Sequence, residues 1–481
     1  MPRANKRACV ASRQPSAGAA ADANPRGGDR GLLSVRRAAT SRQPRSRQAD
    51  DDDGTWFPDE IILFIFASFL DLADLVRCAA TCRRWRRLVS SEAAFICRNR
   101  TPQWPGNDRF LPPVVAGFFH QRDDEEPRFL STPAACRRFP ALGAPPPLSA
   151  LVEDGSSVDL DSCRIVASRN GLLVAELRRG KNNRALKLCV CNPMSGERHV
   201  LPPLSGKDGV GHYACTVLTA DECQHDDGTS SITPPSLSSF RVVVVYSRRT
   251  FTATRRYSSA DGSWGAEAKV DDAHVGKKAM GLMRNGVVAR GGRVAYWLAG
   301  ETVFGMHLDT LVATSPMKVP WSEEREVLDS DNSTLLGTTR KGKLFAVQLR
   351  RPFRVELGKR IETIELSVLT LSNNGAGYAG YGGAYVGRIA KWEEKFKIRV
   401  DQFLPDGALT TKVKLQWFCE KSGLVFFNVS GWYVGDPGQR RSDVYALSFG
   451  TRSIQKVATN GGGKIYGYEM DQAAYLASLS H

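Results

Sequence analysis

The chain has 481 residues, 42% of them hydrophobic, 24% charged and 9% aromatic. That length suits two or three domains, and the composition excludes a wholly disordered chain, a collagen and a disulfide-stapled mini-protein. The net charge of +16 is unevenly spread, because residues 1–50 hold eleven basic side chains against Asp22, Asp29 and Asp50. The body is only mildly basic, so it does not read as a nucleic-acid module.

Residues 1–54 read as a disordered basic tail. They are rich in Ala, Arg, Ser, Pro and Gly, and too few large apolar groups are present to offset the entropy of ordering. The tail lacks the apolar block of a signal peptide. The longest apolar run, Ile61 to Leu70, has ten residues, about half the length of a membrane span. The expectation is a soluble intracellular chain, in the nucleus or the cytoplasm, with no membrane partner. The eleven cysteines show no scaffold-like spacing and are expected to be reduced thiols.

Residues 55–100 read as a compact helical unit. Pro58 suits a helix's first turn, and Asp59 and Glu60 favour its positive end. Ile61 to Leu70 is apolar almost all round, so this helix must be covered on several faces. Forty-odd residues cannot wrap it, and another chain is expected to cover part of it. Asp71 and Asp74 have the spacing of an N-terminal cap, and Thr81 is placed to cap the next helix. In that third helix Cys82, Trp85, Leu88 and Val89 form one stripe, with Arg83, Arg84, Arg86 and Arg87 opposite. Ser90 or Ser91 can start a fourth helical turn through Phe95 and Ile96.

Residues 101–150 read as a Pro-rich linker, partly packed through Phe118, Phe119, Phe129 and Leu130. Residues 151–475 change character. Short β-type runs recur between turn residues, as in 171–175, 240–246, 294–297, 344–347, 364–371 and 424–427. A loose repeat couples a glycine, an apolar strand, a second strand and a turn. Units of roughly 40–50 residues point to propeller blades. The fold class is therefore a small all-α unit followed by a large all-β domain, a β-propeller, with a pair of β-sandwiches as the rival.

Motifs for chemistry are weak. Gly375 to Gly380 has the spacing of a dinucleotide loop, but no helix follows it. Cys189 and Cys191, with His199 and His212 downstream, lack a second pair to complete a zinc site, and suit a β core equally well. The four arginines of the third helix could hold phosphate, or be a solvated face, or meet an acidic partner. No nucleophile elbow, P-loop or zinc-protease motif occurs. No catalytic residue, metal or cofactor is expected, and nucleic acid is not the expected partner.

Residues 56–97 resemble the F-box. Phe57-Pro58-Asp59-Glu60 stands for its opening turn, Ile61 to Leu70 for its first helix, Asp74-Leu75-Val76-Arg77 for its second, and Cys82-Arg83-Arg84-Trp85-Arg86 for its closing signature. Phe57 stands where Leu is usual, and Ala80 where Val is common. The resemblance implies docking to a Skp-type adaptor and, through it, a cullin-RING ubiquitin ligase of the SCF type, with the remainder recruiting a protein substrate. It implies that Phe57, Pro58, Ile61, Ile62, Ile65, Phe66, Phe69, Leu70, Leu75, Val76 and Trp85 meet the adaptor. Trp85 stays open, since its stripe also suits the unit's own core.

The C-terminal part is similar to the F-box-associated β-propellers common in plants. Ser168-Arg169-Asn170-Gly171-Leu172-Leu173, Cys191-Asn192-Pro193-Met194-Ser195-Gly196 and Leu201-Pro202-Pro203 carry that likeness. In the second of these turns Pro fixes one dihedral and Gly permits positive φ. The substrate is not named by any of this. Loops 221–235 and 373–387 are candidate contacts, because loops on rigid scaffolds carry recognition.

Overall fold

The computed structural model describes residues 57–99, 115–122, 125–138, 162–178, 185–205, 207, 209–219, 239–271, 274–284, 286–289, 293–320, 334–339, 342–356, 359–372, 391–403, 412–432, 440–459 and 461–480. The expected basic tail, the 375–380 glycine run and both candidate contact loops, 221–235 and 373–387, lie outside them. The chain divides into Met1–Asp50 and Asp51–His481, and everything below concerns the second unit.

Four helices come first: α1 (Asp59–Phe69), α2 (Leu72–Thr81), α3 (Arg83–Ser91) and α4 (Ala93–Asn99). Asp71 caps α2, its carboxylate accepting from the Asp74 amide at 2.9 Å. The cap of α3 is not the expected Thr81. The Cys82 sulfur accepts from the Trp85 amide at 3.4 Å, while the Thr81 hydroxyl turns back to donate to the Cys78 carbonyl. Thr81 still belongs to α2, so its hydroxyl is used there, and the extended residue that follows becomes the cap.

The strands then build six sheets around a channel. The segment expected to be a linker contributes β1 (Val115–Gln121) and β2 (Arg128–Ser131), followed by α5 (Pro133–Arg138). Phe118 and Phe119 are fully buried there, which is why the segment packs. The second blade is β3 (Ser162–Arg169), β4 (Leu172–Arg178), β5 (Leu188–Cys191) and β6 (Arg198–Val200). The third is β7 (Tyr213–Thr219), β8 (Phe240–Ser247), β9 (Thr252–Ser258), β10 (Ser263–Trp264) and β11 (Ala268–Val270), followed by the short α6 (Lys277–Leu282). The fourth is β12 (Val287–Ala289), β13 (Val294–Ala299), β14 (Thr302–His307) and β15 (Met317–Lys318).

The fifth blade holds β16 (Thr334–Thr338), β17 (Leu344–Arg350), β20 (Glu365–Ser372) and β21 (Lys391–Arg399). A two-stranded ribbon, β18 (Phe353–Glu356) with β19 (Lys359–Glu362), is inserted into it. The sixth holds β22 (Lys412–Phe418), β23 (Leu424–Trp432), β24 (Arg440–Ser448) and β25 (Ser453–Ala458). The last strand, β26 (Lys464–Glu469), pairs antiparallel with β1 and completes the first blade. Closure by the two ends of one domain leaves no open ring. Six radially arranged sheets rule out the sandwich pair.

The strands of each blade pair antiparallel, and β3, β7, β12, β16, β22 and β26 are the edge strands that meet around the centre. Where β7 meets β12, the Gly286 amide donates to the Cys215 carbonyl at 3.3 Å and the Thr216 hydroxyl to the Gly286 carbonyl at 2.8 Å. Apolar residues fill the spaces between blades. Valines of β8 and aromatics such as Phe345, Phe427 and Tyr257 are buried there. The hairpin between β3 and β4 turns on Asn170 and Gly171, at φ 50° and 82°, as a two-residue hairpin loop demands.

After β26 the chain forms α7 (Gln472–Ala477) and a 3-10 turn, Ser478–Ser480. Asp471 caps α7 through the amides of Ala473 and Ala474, at 3.0 and 3.1 Å. This tail packs against α3 and α4. Leu88, Val89, Ile96 and Leu476 share one core with Phe119, Leu173, Cys191 and Tyr468. The helices are therefore joined to the propeller through a common core. No described helix is long and apolar enough to cross a membrane.

Candidate functional site: an apolar helix face and a basic channel

Between Glu60 and Ser68 α1 has no polar side, so it buries one stripe and leaves apolar groups on the other. Ile62, Phe66 and Ala67 face inward. Phe57, Ile61, Phe64 and Phe69 are 55%, 45%, 62% and 74% exposed. Phe64 and Phe69 meet edge to face with ring centroids 6.3 Å apart. Exposed aromatics grouped in this way mark an interaction surface rather than a chance leftover.

The face is held from behind. Asp59, at the positive end of α1, accepts from Arg84 Nε and Nη2 at 2.9 and 2.7 Å. Arg84 Nη2 also donates to the Phe57 carbonyl at 2.6 Å. Arg87 lies 3.9 Å from Asp59, and Arg86 donates to the Ala79 carbonyl at 3.1 Å. Arg84, Arg86 and Arg87 thus engage groups within the helical unit, a use that the helical-wheel reading missed. The Asp59–Arg84 spacing across two helices has no periodic signature. Trp85 is half-buried and meets Phe66 edge to face at 5.7 Å.

The second feature is a cavity of about 1350 Å³ in the channel, lined where the inner strands begin. Arg122, Arg164, Arg284, Lys412, Lys414 and Lys464 line it, and Glu176 is the one carboxylate among its described lining residues. Glu176 is already engaged. It accepts from Arg164 Nε at 3.0 Å and from the Tyr213 hydroxyl at 2.8 Å. Burial opposes the Arg164 charge, but Glu176 beside it raises the guanidinium above its usual value. Burial, then Glu176, pushes the Tyr213 phenol well up.

Residues 57–97 match the family model described as F-box-like. This F-box-like domain is α1 to α4 nearly in full. Among curated proteins none matches the chain. Among solved structures, TolB from Acinetobacter baumannii aligns at 7% identity and a TM-score of 0.36, covering 79% of this chain and 71% of that one. The β-propeller domain of the Trilobed protease from Pyrococcus furiosus aligns at 9% identity and a TM-score of 0.27, covering 62% and 84%. Neither likeness carries a functional argument.

Of the residues assigned to the adaptor by resemblance, Phe57, Pro58, Ile61 and Phe69 are exposed on the F-box-like domain. Ile65, Leu70, Val76 and Trp85 are half-buried. Ile62, Phe66 and Leu75 lie in the chain's own core, because the inward stripes of α1 and α2 must cover α3 and α4. They support the outer face instead of forming it. Phe64 was not singled out, although it stands two residues from both Ile62 and Phe66 and so falls on the opposite side of the helix. Cys189 and Cys191 are both fully buried in that core, and no group of three or more potential metal ligands occurs among the described residues.

Proposed function

We propose that the protein is a substrate receptor of an SCF-type cullin-RING ubiquitin ligase. In this reading the F-box-like domain docks a Skp-type adaptor and the propeller holds the substrate. The chain supplies no catalytic residue. It acts by raising the effective concentration of substrate near the transfer machinery, in the nucleus or the cytoplasm. The Asn170-Gly171 and Asn192–Gly196 turns support kinship of the propeller with the F-box-associated propellers of plants.

The observation that carries the reading is the exposed Phe57–Ile61–Phe64–Phe69 face within residues that match the F-box-like model. Two further features favour it. The common core makes a stiff arm between docking unit and propeller. α7 leaves β26 at the strand's end, whereas the cavity is lined by the strand's beginning. The basic mouth therefore points away from the helices that dock.

A pull-down with a purified Skp-type adaptor tests the proposal on the full chain. Wild type should bind. Phe64→Asp combined with Phe69→Asp should not, while its thermal unfolding stays close to wild type, since both side chains are mostly in solvent. Failure of wild type to bind overturns the receptor reading.

A further inference from the structure

We propose that Arg84 is a positioning residue for the docking face, holding Phe57 in place before a partner arrives. The inference rests on the receptor reading above and names the residue of this chain that readies its surface.

Phe57 differs from the rest of that face. Ile61, Phe64 and Phe69 stand on α1, so the helix itself fixes their backbone. Phe57 precedes the helix and is 55% exposed. Pro58, at the N-terminal cap, makes no side-chain cap hydrogen bond and has no N–H to donate. Its carbonyl starts the helix instead, accepting from the amides of Ile61 and Ile62 at 3.1 and 3.2 Å. The helical ladder therefore begins one residue after Phe57. Among the described residues, Arg84 is the one hydrogen-bond partner of Phe57.

The guanidinium joins this residue to the helix. Arg84 Nε and Nη2 both donate to Asp59 Oδ1, and Nη2 also donates to the Phe57 carbonyl. Asp59 begins α1. One side chain of α3 thus pins the first helical residue and the residue two before it. Arg87 lies near the other oxygen of the same carboxylate, at 3.9 Å from Asp59 Oδ2. The Arg84 side chain is only 15% exposed, so water competes weakly for these charge-assisted bonds. A partner that meets a loose Phe57 must order it on binding, and that ordering weakens the complex. A residue already held in place removes that loss.

Calorimetric titration of the full chain with a purified Skp-type adaptor tests this by coupling two substitutions. In the wild-type background Phe57→Ala should weaken binding roughly tenfold. In the Arg84→Met background it should weaken binding at most about twofold, because an untethered ring has already lost most of its contribution. Phe64→Ala should weaken binding by the same factor in both backgrounds, since α1 and not Arg84 carries that ring. Arg84→Gln is the second variant, for use if Arg84→Met unfolds early in a thermal scan. Its amide nitrogen ends about where Arg84 Nε stands, so it keeps a donor for Asp59 and falls short of the Phe57 carbonyl. It should uncouple Phe57 in the same way. Effects of Phe57 and Arg84 that multiply in full overturn the positioning role and leave the receptor reading intact, as does a Phe57→Ala that binds like wild type. An equal loss of coupling at Phe64 assigns Arg84 to the fold of the whole helical unit and overturns the role too. No binding by wild type overturns the receptor reading, and this inference falls with it.

Discussion

Tyr468, in the last strand, donates its hydroxyl hydrogen towards the carbonyl of Gly171, 297 residues earlier and 3.1 Å away. The same hydroxyl lies 3.0 Å from Asn192 Oδ1. Asn192 Oδ1 in turn accepts from the Met194 amide at 3.1 Å, holding the Asn-Pro-x-Ser-Gly turn in shape. One phenol thus ties the closing strand to the first and last hairpin turns of the second blade.

Tyr468→Phe keeps the ring, which meets Phe119 edge to face at 5.9 Å, and removes the hydroxyl alone. The Gly171 carbonyl is then left short of a donor in a buried place. A loss of about 1–2 kcal/mol is expected. Urea unfolding should show a lower midpoint with an unchanged slope.

A buried ion pair links three blades. Arg169 Nε, at the end of β3, lies 3.1 Å from Glu420 Oε2, and the two side chains are 5% and 13% exposed. Arg169 Nη1 also donates to the Val217 carbonyl of β7 at 3.2 Å. Glu420→Ala leaves the guanidinium buried and uncompensated, and should cost about 3–5 kcal/mol. Arg169→Met combined with Glu420→Leu should recover most of that loss by thermal unfolding. A double variant as unstable as the single one would show that the Arg169–Val217 bond, not the pair, holds the junction.

Local signals reveal the first four helices and six of the apolar strands from residue order alone. The Asp71 cap, the alternation of apolar strands and the Asn-Gly and Pro-x-Ser-Gly turns each act over a few residues, and so can be read from a few residues. The long-range parts could not be read in that way. Nothing near Phe118 and Phe119 says that their strand pairs with residues 464–469, and so the first blade passed for a linker. The channel cations escaped for the same reason. Lys412, Lys414 and Lys464 are ordinary lysines until the ring closes and sets them around one cavity. The apolar first helix announced a docking face, but which of its sides is outward depends on where α3 and α4 pack.

Burial governs the thiols. It pushes Cys163 and Cys215 up to about 12, with nearby Cys189 adding to the shift at Cys163. Cys191 and Cys419 are raised by burial as well. The folded state therefore favours the neutral thiol. Its contribution is complete below the unfolded-thiol value near 9 and is lost as pH rises towards about 12. At pH of roughly 8 a thiol reagent should label exposed Cys136 quickly and these four slowly, with all becoming reactive in denaturant. Rapid labelling of Cys163 in the native protein would contradict its burial.

The C-terminal helix is the last coupling element, and its removal should be felt at the far end of the sequence. Leu476 is fully buried in the core that holds Leu88, Val89 and Ile96. Leu476→Ala opens a cavity there and should cost about 2–5 kcal/mol. The loss falls on the join between α3, α4 and the propeller, not on the blades. Asp471→Ala removes the acceptor for two α7 amides and should cost about 1 kcal/mol. Hydrogen exchange distinguishes the site of damage. In Leu476→Ala the amides of α3 and α4 should exchange faster, while β8 and β23, buried in other blades, keep their protection. Equal acceleration in β8 would mean that the helices and propeller unfold as one unit.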